Sequence, residues 1–395
     1  MLSTESATTV RATIPAIAGA LDDITGRFYA TMLGDRPELL DGLFNRGNQA
    51  TGEQRRALAG SIAAFATALL EHPDERPDAL LSRIAHKHVS LGVTDDQYVI
   101  VHKYLFAAIA EVLGDAATPD VVAAWDEVYW LMAGALIAME ARLYARGGHD
   151  GGDVWRLWRV VERHGQTPDT VSLTLEPEGD DPAPEFGPGQ YVSVRARMSD
   201  GVRQARQYSL TGADGRRRRL TVKRLRAAEG PEGEVSVFLH DAVRVGDTLE
   251  VSAPAGDVVL GAGGRPVALV SAGIGCTPMV AMLHHLAERG GDRRVFVLHA
   301  DRSPQDHAHR EETAALAARI PGADHHVWYE TGAEGGAHAG RMDLDGIGLP
   351  EDCEVYLCGP LPFMRDVRAQ VLAAGVPARD VRYEVFGPDL WLGAA

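Results

Sequence analysis

The stretch ARGGHDGGD, Ala145 to Asp153, separates two kinds of text in this 395-residue chain. Its glycines mark a linker, because glycine loses the most freedom on ordering and takes turn conformations that other residues avoid. Ahead of it, apolar residues recur three and four apart in IPAIAGALDDITGRFYATML, LAGSIAAFATALL, YVIVHKYLFAAIAEVL and VVAAWDEVYWLMAGALIAMEARLY. That period predicts an all-α unit over residues 1–146. Behind it the period falls to two, in TVSLTLEPEG, GQYVSVRAR, RLTVKRL and DTLEVSAP. An antiparallel β-barrel over residues 153–258 is expected.

A second glycine-rich break, GDVVLGAGGRP from Gly256 to Pro266, opens a third text. PVALVSAGIG precedes TPMVAMLHHLAERG, RVFVLHA precedes EETAALAARI, and EVYLCGP precedes PFMRDVRAQVLAAG. Buried-strand runs alternating with helical ones predict an α/β unit with a parallel sheet over residues 265–395. Three units also suit the length, which exceeds what one core serves.

A formal net charge of -16 leaves no large basic surface for phosphates, so no nucleic-acid partner is expected. GRRRRL, Gly215 to Leu220, reads as a solvated hairpin turn between strands. Three cysteines without CxxC spacing argue against a disulfide framework or a zinc site. MLSTESATTVRATIP lacks the basic start and apolar core of a signal peptide, and LMAGALIAM is too short to span a bilayer. A cytoplasmic protein without stable membrane insertion is expected.

In the third text, SAGIGCTP (Ser271 to Pro278) ends a strand and starts a helix, with Gly273 and Gly275 where backbone must approach a ligand closely. A tight strand-to-helix turn explains the same glycines. YLCGPLPFM (Tyr356 to Met364) ends another parallel strand, so both turns fall on the carboxyl edge, where open α/β sheets bind ligands. Cys358 there reads equally as a small buried residue beside Gly359. In the second text, RQYSL (Arg206 to Leu210) puts Arg206, Tyr208 and Leu210 on one strand face. A guanidinium for a diphosphate, a ring to stack and the Ser209 hydroxyl are parts that a flavin needs, although an ordinary strand carries them too. EGEVSVFLHDA (Glu232 to Ala242) adds a glycine ahead of a helix N-terminus.

These motifs in this order resemble the ferredoxin reductase family over residues 153–395. The resemblance implies that Arg206, Tyr208 and Ser209 hold FAD, with Gly233 and Ser236 near its pyrophosphate; Tyr191, Gln207 and Val235 join the cofactor-binding set. Gly273, Gly275, Cys276, Thr277, Pro278, Cys358 and Gly359 would surround the nicotinamide nucleotide. YEVFGP (Tyr383 to Pro388) resembles the family's ending, which puts Phe386 near the flavin ring; Val385 stands where close relatives often carry Cys.

SRIAHKHVSL (Ser82 to Leu91) carries two histidines. On a helix, Leu81, Ile84, His88 and Leu91 share one face and His86 points away. A core histidine and a ligand both fit that placement. The segments RFYATM, GLFNRGNQATGEQRRAL, IAHKHVSLGVTDDQYVIV and MEARLY resemble the globin part of bacterial flavohaemoglobins, so that resemblance spans essentially the whole chain. It implies haem b with His88 as proximal iron ligand, Tyr98 and Glu140 as its partners, Tyr29 and Gln54 bonding iron-bound oxygen, Leu58 lining the pocket and Phe44 packing on the haem.

The implied function is a nitric oxide dioxygenase: electrons from NADH or NADPH pass through FAD to haem iron, and nitric oxide and oxygen become nitrate. Nitric oxide, oxygen and the nucleotide are then the partners of a monomer. An oxygen-binding or sensing globin with its own reductase, or a general flavin or ferric reductase, would use the same sites. HADRS (His299 to Ser303) offers Asp301 to a ribose hydroxyl and Arg302 to a 2′-phosphate; the resemblance tilts toward NADH.

Overall fold

The computed structural model describes residues 1–44, 46, 52–226 and 233–387. Asn45 and residues 47–51 of GLFNRGNQATGEQRRAL, Glu232 of EGEVSVFLHDA and Pro388 of YEVFGP lie outside that set. The backbone forms two compact units, one containing residues 1–155 and 195–206, the other residues 156–194 and 207–387.

The first unit includes the α-helices α1 (Thr4–Asp35), α2 (Glu53–Glu71), α3 (Asp78–Leu91), α4 (Asp95–Leu113) and α5 (Pro119–Gly147). Their ends are set by local chemistry. The Ser3 hydroxyl accepts from the Ser6 amide at the start of α1, Thr94 and Gln97 form a capping box on α4, and α3 and α5 stop at Gly92 and Gly148 in the left-handed region. One apolar cluster joins Phe65, Leu81, Tyr98, Trp125, Val128 and Leu136; a second joins Ile24, Phe28, Tyr29, Met32, Leu105 and Ile109. Each such side chain taken fully from water contributes about 1.5–3 kcal/mol. Helix α5, which contains LMAGALIAM, is long and apolar enough to cross a membrane by length and composition. It nevertheless lends Trp125, Val128, Ala133 and Leu136 to the first cluster.

The antiparallel strands β1 (Trp155–Thr167), β2 (Thr170–Pro177), β3 (Tyr191–Arg197), β4 (Arg203–Asp214), β5 (Arg217–Lys223) and β6 (Thr248–Ser252) close a barrel in the order β1-β2-β5-β4-β3-β6. Alternation fills its interior: Leu173 pairs with Leu220 and Val171 with Val222, all buried. Helix α6 (Glu234–Asp241) precedes β6. GRRRRL departs from the solvated turn expected of it. Only Gly215 and Arg216 turn; Arg218 is buried and donates to the Pro184 carbonyl at 2.8 Å, while Arg219 pairs with Glu312. Strand register, which the charge run conceals, carries these side chains off the surface.

The third section alternates β7 (Val267–Ala272), α7 (Cys276–Arg289), β8 (Val295–Asp301), α8 (Arg310–Ala318), β9 (Asp324–Tyr329), β10 (His338–Ala339), β11 (Glu354–Cys358), α9 (Leu361–Ala373) and β12 (Val381–Glu384). The sheet runs β10-β9-β8-β7-β11-β12, with every adjacent pair parallel. The chain moves outward from β7 to β10, then returns to β7's other side with β11. That reversal makes the carboxyl ends of β7 and β11 the switch point, where open α/β sheets bind ligands.

Candidate functional site

Three helices of the first unit converge on one imidazole. His88 of α3 places Nδ1 2.8 Å from Glu140 Oε1 of α5 and 3.0 Å from the Tyr98 hydroxyl of α4. The Tyr98 hydroxyl donates to the same Glu140 oxygen at 2.6 Å. Burial, then the Glu140 charge and this bond, push the Tyr98 phenol well above its ordinary pKa, so it stays a donor. Glu140 is 4% exposed, an acid with no solvent to satisfy it except through these two donors. With Nδ1–H directed at the carboxylate, the other ring nitrogen of His88 carries the lone pair. His86 takes no part in this triad.

On α1, Tyr29 is 7% exposed. Burial raises its pKa above the usual phenol value, opposed by a side-chain hydrogen bond from Gln54 of α2. Among the described residues, Gln54 Oε1 is itself buried without a partner, so its amide nitrogen serves Tyr29 and its carbonyl is left unsatisfied. Phe44 meets the Tyr29 ring edge-on at 5.8 Å, and Leu58 packs against the same apolar cluster. An imidazole with its far nitrogen pinned, apolar walls, a buried phenol and an orphaned amide oxygen together fit a haem better than they fit a finished core, in which buried polar atoms are paired.

Along β4, Gln207 Nε2 donates to the Ser193 hydroxyl at 2.9 Å and Ser209 is buried, while Arg206 and Tyr208 are half-buried. Tyr191 and Val235 are buried. At the head of α6, the Ser236 hydroxyl accepts from the Leu225 amide at 3.1 Å and donates to the Gly233 carbonyl at 2.9 Å, which ties down the turn before the helix. A Cβ on Gly233 would lie 2.5 Å from Ser236 Oγ. The bare backbone at that helix start suits a diphosphate.

The two glycine turns of the nucleotide section touch. Cys358 of β11 pairs with Ser271 of β7, and a Cβ on Gly275 would fall 2.4 Å from the Cys358 carbonyl oxygen and 2.8 Å from the Gly359 nitrogen. Gly273 has φ +53°. The Thr277 hydroxyl donates to the Ile274 carbonyl at 3.0 Å, closing the turn. Cys276, Thr277, Pro278 and Cys358 are buried. Burial pushes the Cys276 thiol up to about 12 and raises Cys358 well above an ordinary thiol, so both pack as neutral residues and the turns offer backbone rather than sulfur. Phe386, beyond β12, is 48% exposed.

Sequence reasoning passed over Glu384. It is buried at the end of β12, paired in register with Cys358, a placement for which the sequence carried no signal. Asp301, 3% exposed, accepts from the Arg302 amide at 2.8 Å and lies 3.4 Å from His299 Nε2, while Arg302 pairs outward with Asp306.

Comparison with known proteins follows the same three divisions. A globin model matches residues 26–136, an oxidoreductase FAD-binding domain residues 158–259, and an oxidoreductase NAD-binding domain residues 269–369. The flavohemoprotein of Bordetella pertussis is 44% identical over 98% of this chain and 99% of its own. A flavohemoglobin from Malassezia yamatoensis, solved with bound FAD and heme, is 40% identical and superposes with TM-score 0.91 over 98% of this chain and 100% of its own. The FAD/NAD-binding domain of a Vibrio cholerae nitric oxide dioxygenase, 39% identical, covers 59% of this chain and 99% of its own with TM-score 0.56. Identity at that level, sustained from end to end, means that the chain belongs to the flavohemoprotein family.

Proposed function

We propose that this oxidoreductase is an NAD(P)H-dependent nitric oxide dioxygenase that binds haem b, FAD and the nicotinamide nucleotide and converts nitric oxide with oxygen to nitrate. The observation that carries the reading is the pairing of a carboxylate-backed imidazole, His88 with Glu140, with a buried phenol and orphaned amide, Tyr29 with Gln54. The name of the Vibrio cholerae relative supports it.

Bound haem would supply an iron that takes diatomic ligands and one electron at a time, and bound FAD a centre able to exchange electrons in pairs or singly. His88 would offer that iron Nε2, the ring nitrogen that Glu140 does not hold. Glu140 holds the Nδ1 proton, which makes the imidazole a stronger donor to the metal. Tyr98 fixes the carboxylate by donating to it. Tyr29, kept protonated by burial, would donate a hydrogen bond to a bound oxygen ligand, and Gln54 orients its hydroxyl. The start of α6 would bind the flavin diphosphate, and the paired turns at Gly275 and Gly359 the nucleotide. The cytoplasmic setting is proposed with the function; the three cysteines are free.

The test is nitric oxide removal at an electrode by purified protein of confirmed haem and FAD content, in air, with and without NADH. Removal that needs both oxygen and nucleotide is expected. Loaded protein that removes none when both are supplied would return the globin to oxygen binding and leave only the reductase.

A further inference from the structure

At the edge of the parallel sheet, away from the glycine turns, β9 and β10 bring two imidazoles together. His326 and Trp328, two residues apart on β9, project to one face, and parallel pairing sets His338 of β10 opposite Trp328. The His338 ring stacks on Trp328 with centroids 4.7 Å apart and planes at 17°. Trp328 is 2% exposed and therefore fixed, so the stack orients an otherwise exposed imidazole. In that orientation His338 Nε2 lies 3.1 Å from His326 Nδ1.

We infer that His326 and His338 form a binding site for one borderline transition-metal dication of the zinc, nickel or copper class. Two imidazole nitrogens, each about 2.0–2.1 Å from a shared ion and adjacent in its coordination shell, sit roughly 2.9–3.4 Å apart, which brackets the separation found here. Neutral imidazoles select these ions over calcium or magnesium, which take oxygen ligands. Asp324, two residues earlier on the same face, adds negative charge, although its carboxylate accepts from Arg294 at 3.1 Å. Among the described residues no group of three or more His, Cys, Asp or Glu side chains is placed to hold a metal, so two protein nitrogens and water make up this shell. Its position on the surface, with His338 exposed, makes the ion exchangeable. The site is independent of the dioxygenase reading.

The experiment is calorimetric titration of tag-free, haem- and FAD-loaded full-length protein with Zn2+ alone, comparing His326→Gln, His338→Gln and, as a control at an exposed helix end, His72→Gln. Wild type and His72→Gln are expected to share one binding step whose affinity falls at least tenfold in either sheet variant. Unchanged haem and FAD spectra establish that the variants are folded. Binding that survives in either sheet variant would overturn the site and reduce the pair to an imidazole–imidazole hydrogen bond.

Discussion

Glu140 Oε1 lies 2.8 Å from His88 Nδ1, across 52 residues of sequence, and it is the only carboxylate that the described residues bring to that imidazole. Because the acid is buried, its charge is not screened and acts on the ring. Glu140→Gln keeps the shape and removes the charge. Turnover should fall about 10–100-fold while the haem stays bound, and the iron–histidine stretch in the ferrous protein should move to lower frequency. An unmoved stretch would leave Glu140 a packing residue.

His88→Ala removes the proposed ligand from the apolar face of α3 while leaving unit two untouched. Haem content should collapse as FAD content holds, so that the purified protein shows flavin absorbance without a Soret band. Normal haem occupancy in this variant would sink the assignment of His88.

Tyr29→Phe fills the same volume and deletes the hydroxyl that Gln54 orients. A hydrogen bond to a ligand carrying partial negative charge contributes about 1.5–3 kcal/mol. The oxygen dissociation rate should therefore rise roughly tenfold to a hundredfold, measured by ligand displacement after flash photolysis. A rate within twofold of wild type would mean that the hydroxyl points elsewhere.

The periods of the sequence carried the fold because each is enforced by geometry: 3.6 residues per turn up to Gly147, two along β1 to β6, and buried runs alternating with helices from Val267 onward. They also put His88 on the apolar side of α3. What they could not carry was pairing at long range. That Gln54 leaves Oε1 unpaired, that Gly275 abuts the Cys358 carbonyl, and that Arg218 is buried all follow from which elements pack side by side. The buried Glu384 was hidden for the same reason, since only the β11–β12 register puts it beside Cys358. The charge run GRRRRL misled because side chains in a strand alternate whatever their neighbours in sequence share.

Gly275→Ala tests whether the two glycine turns act as one surface. The new methyl carbon would fall 2.4 Å from a backbone oxygen that cannot swing aside, so the turns must part. Stability should drop by about 1–3 kcal/mol, and the KM for NADH should rise with haem and FAD content unchanged. Gly348→Ala, where nothing lies within 4 Å but φ is +68°, is the control for backbone strain alone: it should destabilise without moving the KM. Equal KM effects in the two variants would deny the turns a specific role.

In the second unit, Glu312 of α8 accepts from His284 at 2.6 Å and His309 at 2.7 Å and pairs with Arg219 of β5, while His309 also bonds the Thr221 hydroxyl at 2.8 Å. Burial by itself would raise the Glu312 pKa, but the bonds from His284, His309 and Arg219 outweigh it and hold the carboxyl far below the usual range. The depressed value fixes the sign: the unfolded chain binds the proton first, so ionised Glu312 stabilises the fold fully above its unfolded pKa of about 4.3, and the contribution is lost as pH falls below that toward the folded value. His309, held low mainly by burial, acts in the same direction over a higher window: its neutral form stabilises fully above about 6.5, and that contribution declines as acid protonates the unfolded chain first. Glu312→Gln should thus lower the apparent Tm at pH 7, by an amount equivalent to about 2 kcal/mol once the 24% exposure of the carboxylate is discounted. The gap to wild type should narrow below pH 5, where wild type alone is losing the contribution of an ionised Glu312. Thermal unfolding of both proteins from pH 7 to pH 4 measures it, and a gap of constant size across that range would show that Glu312 contributes shape and not charge.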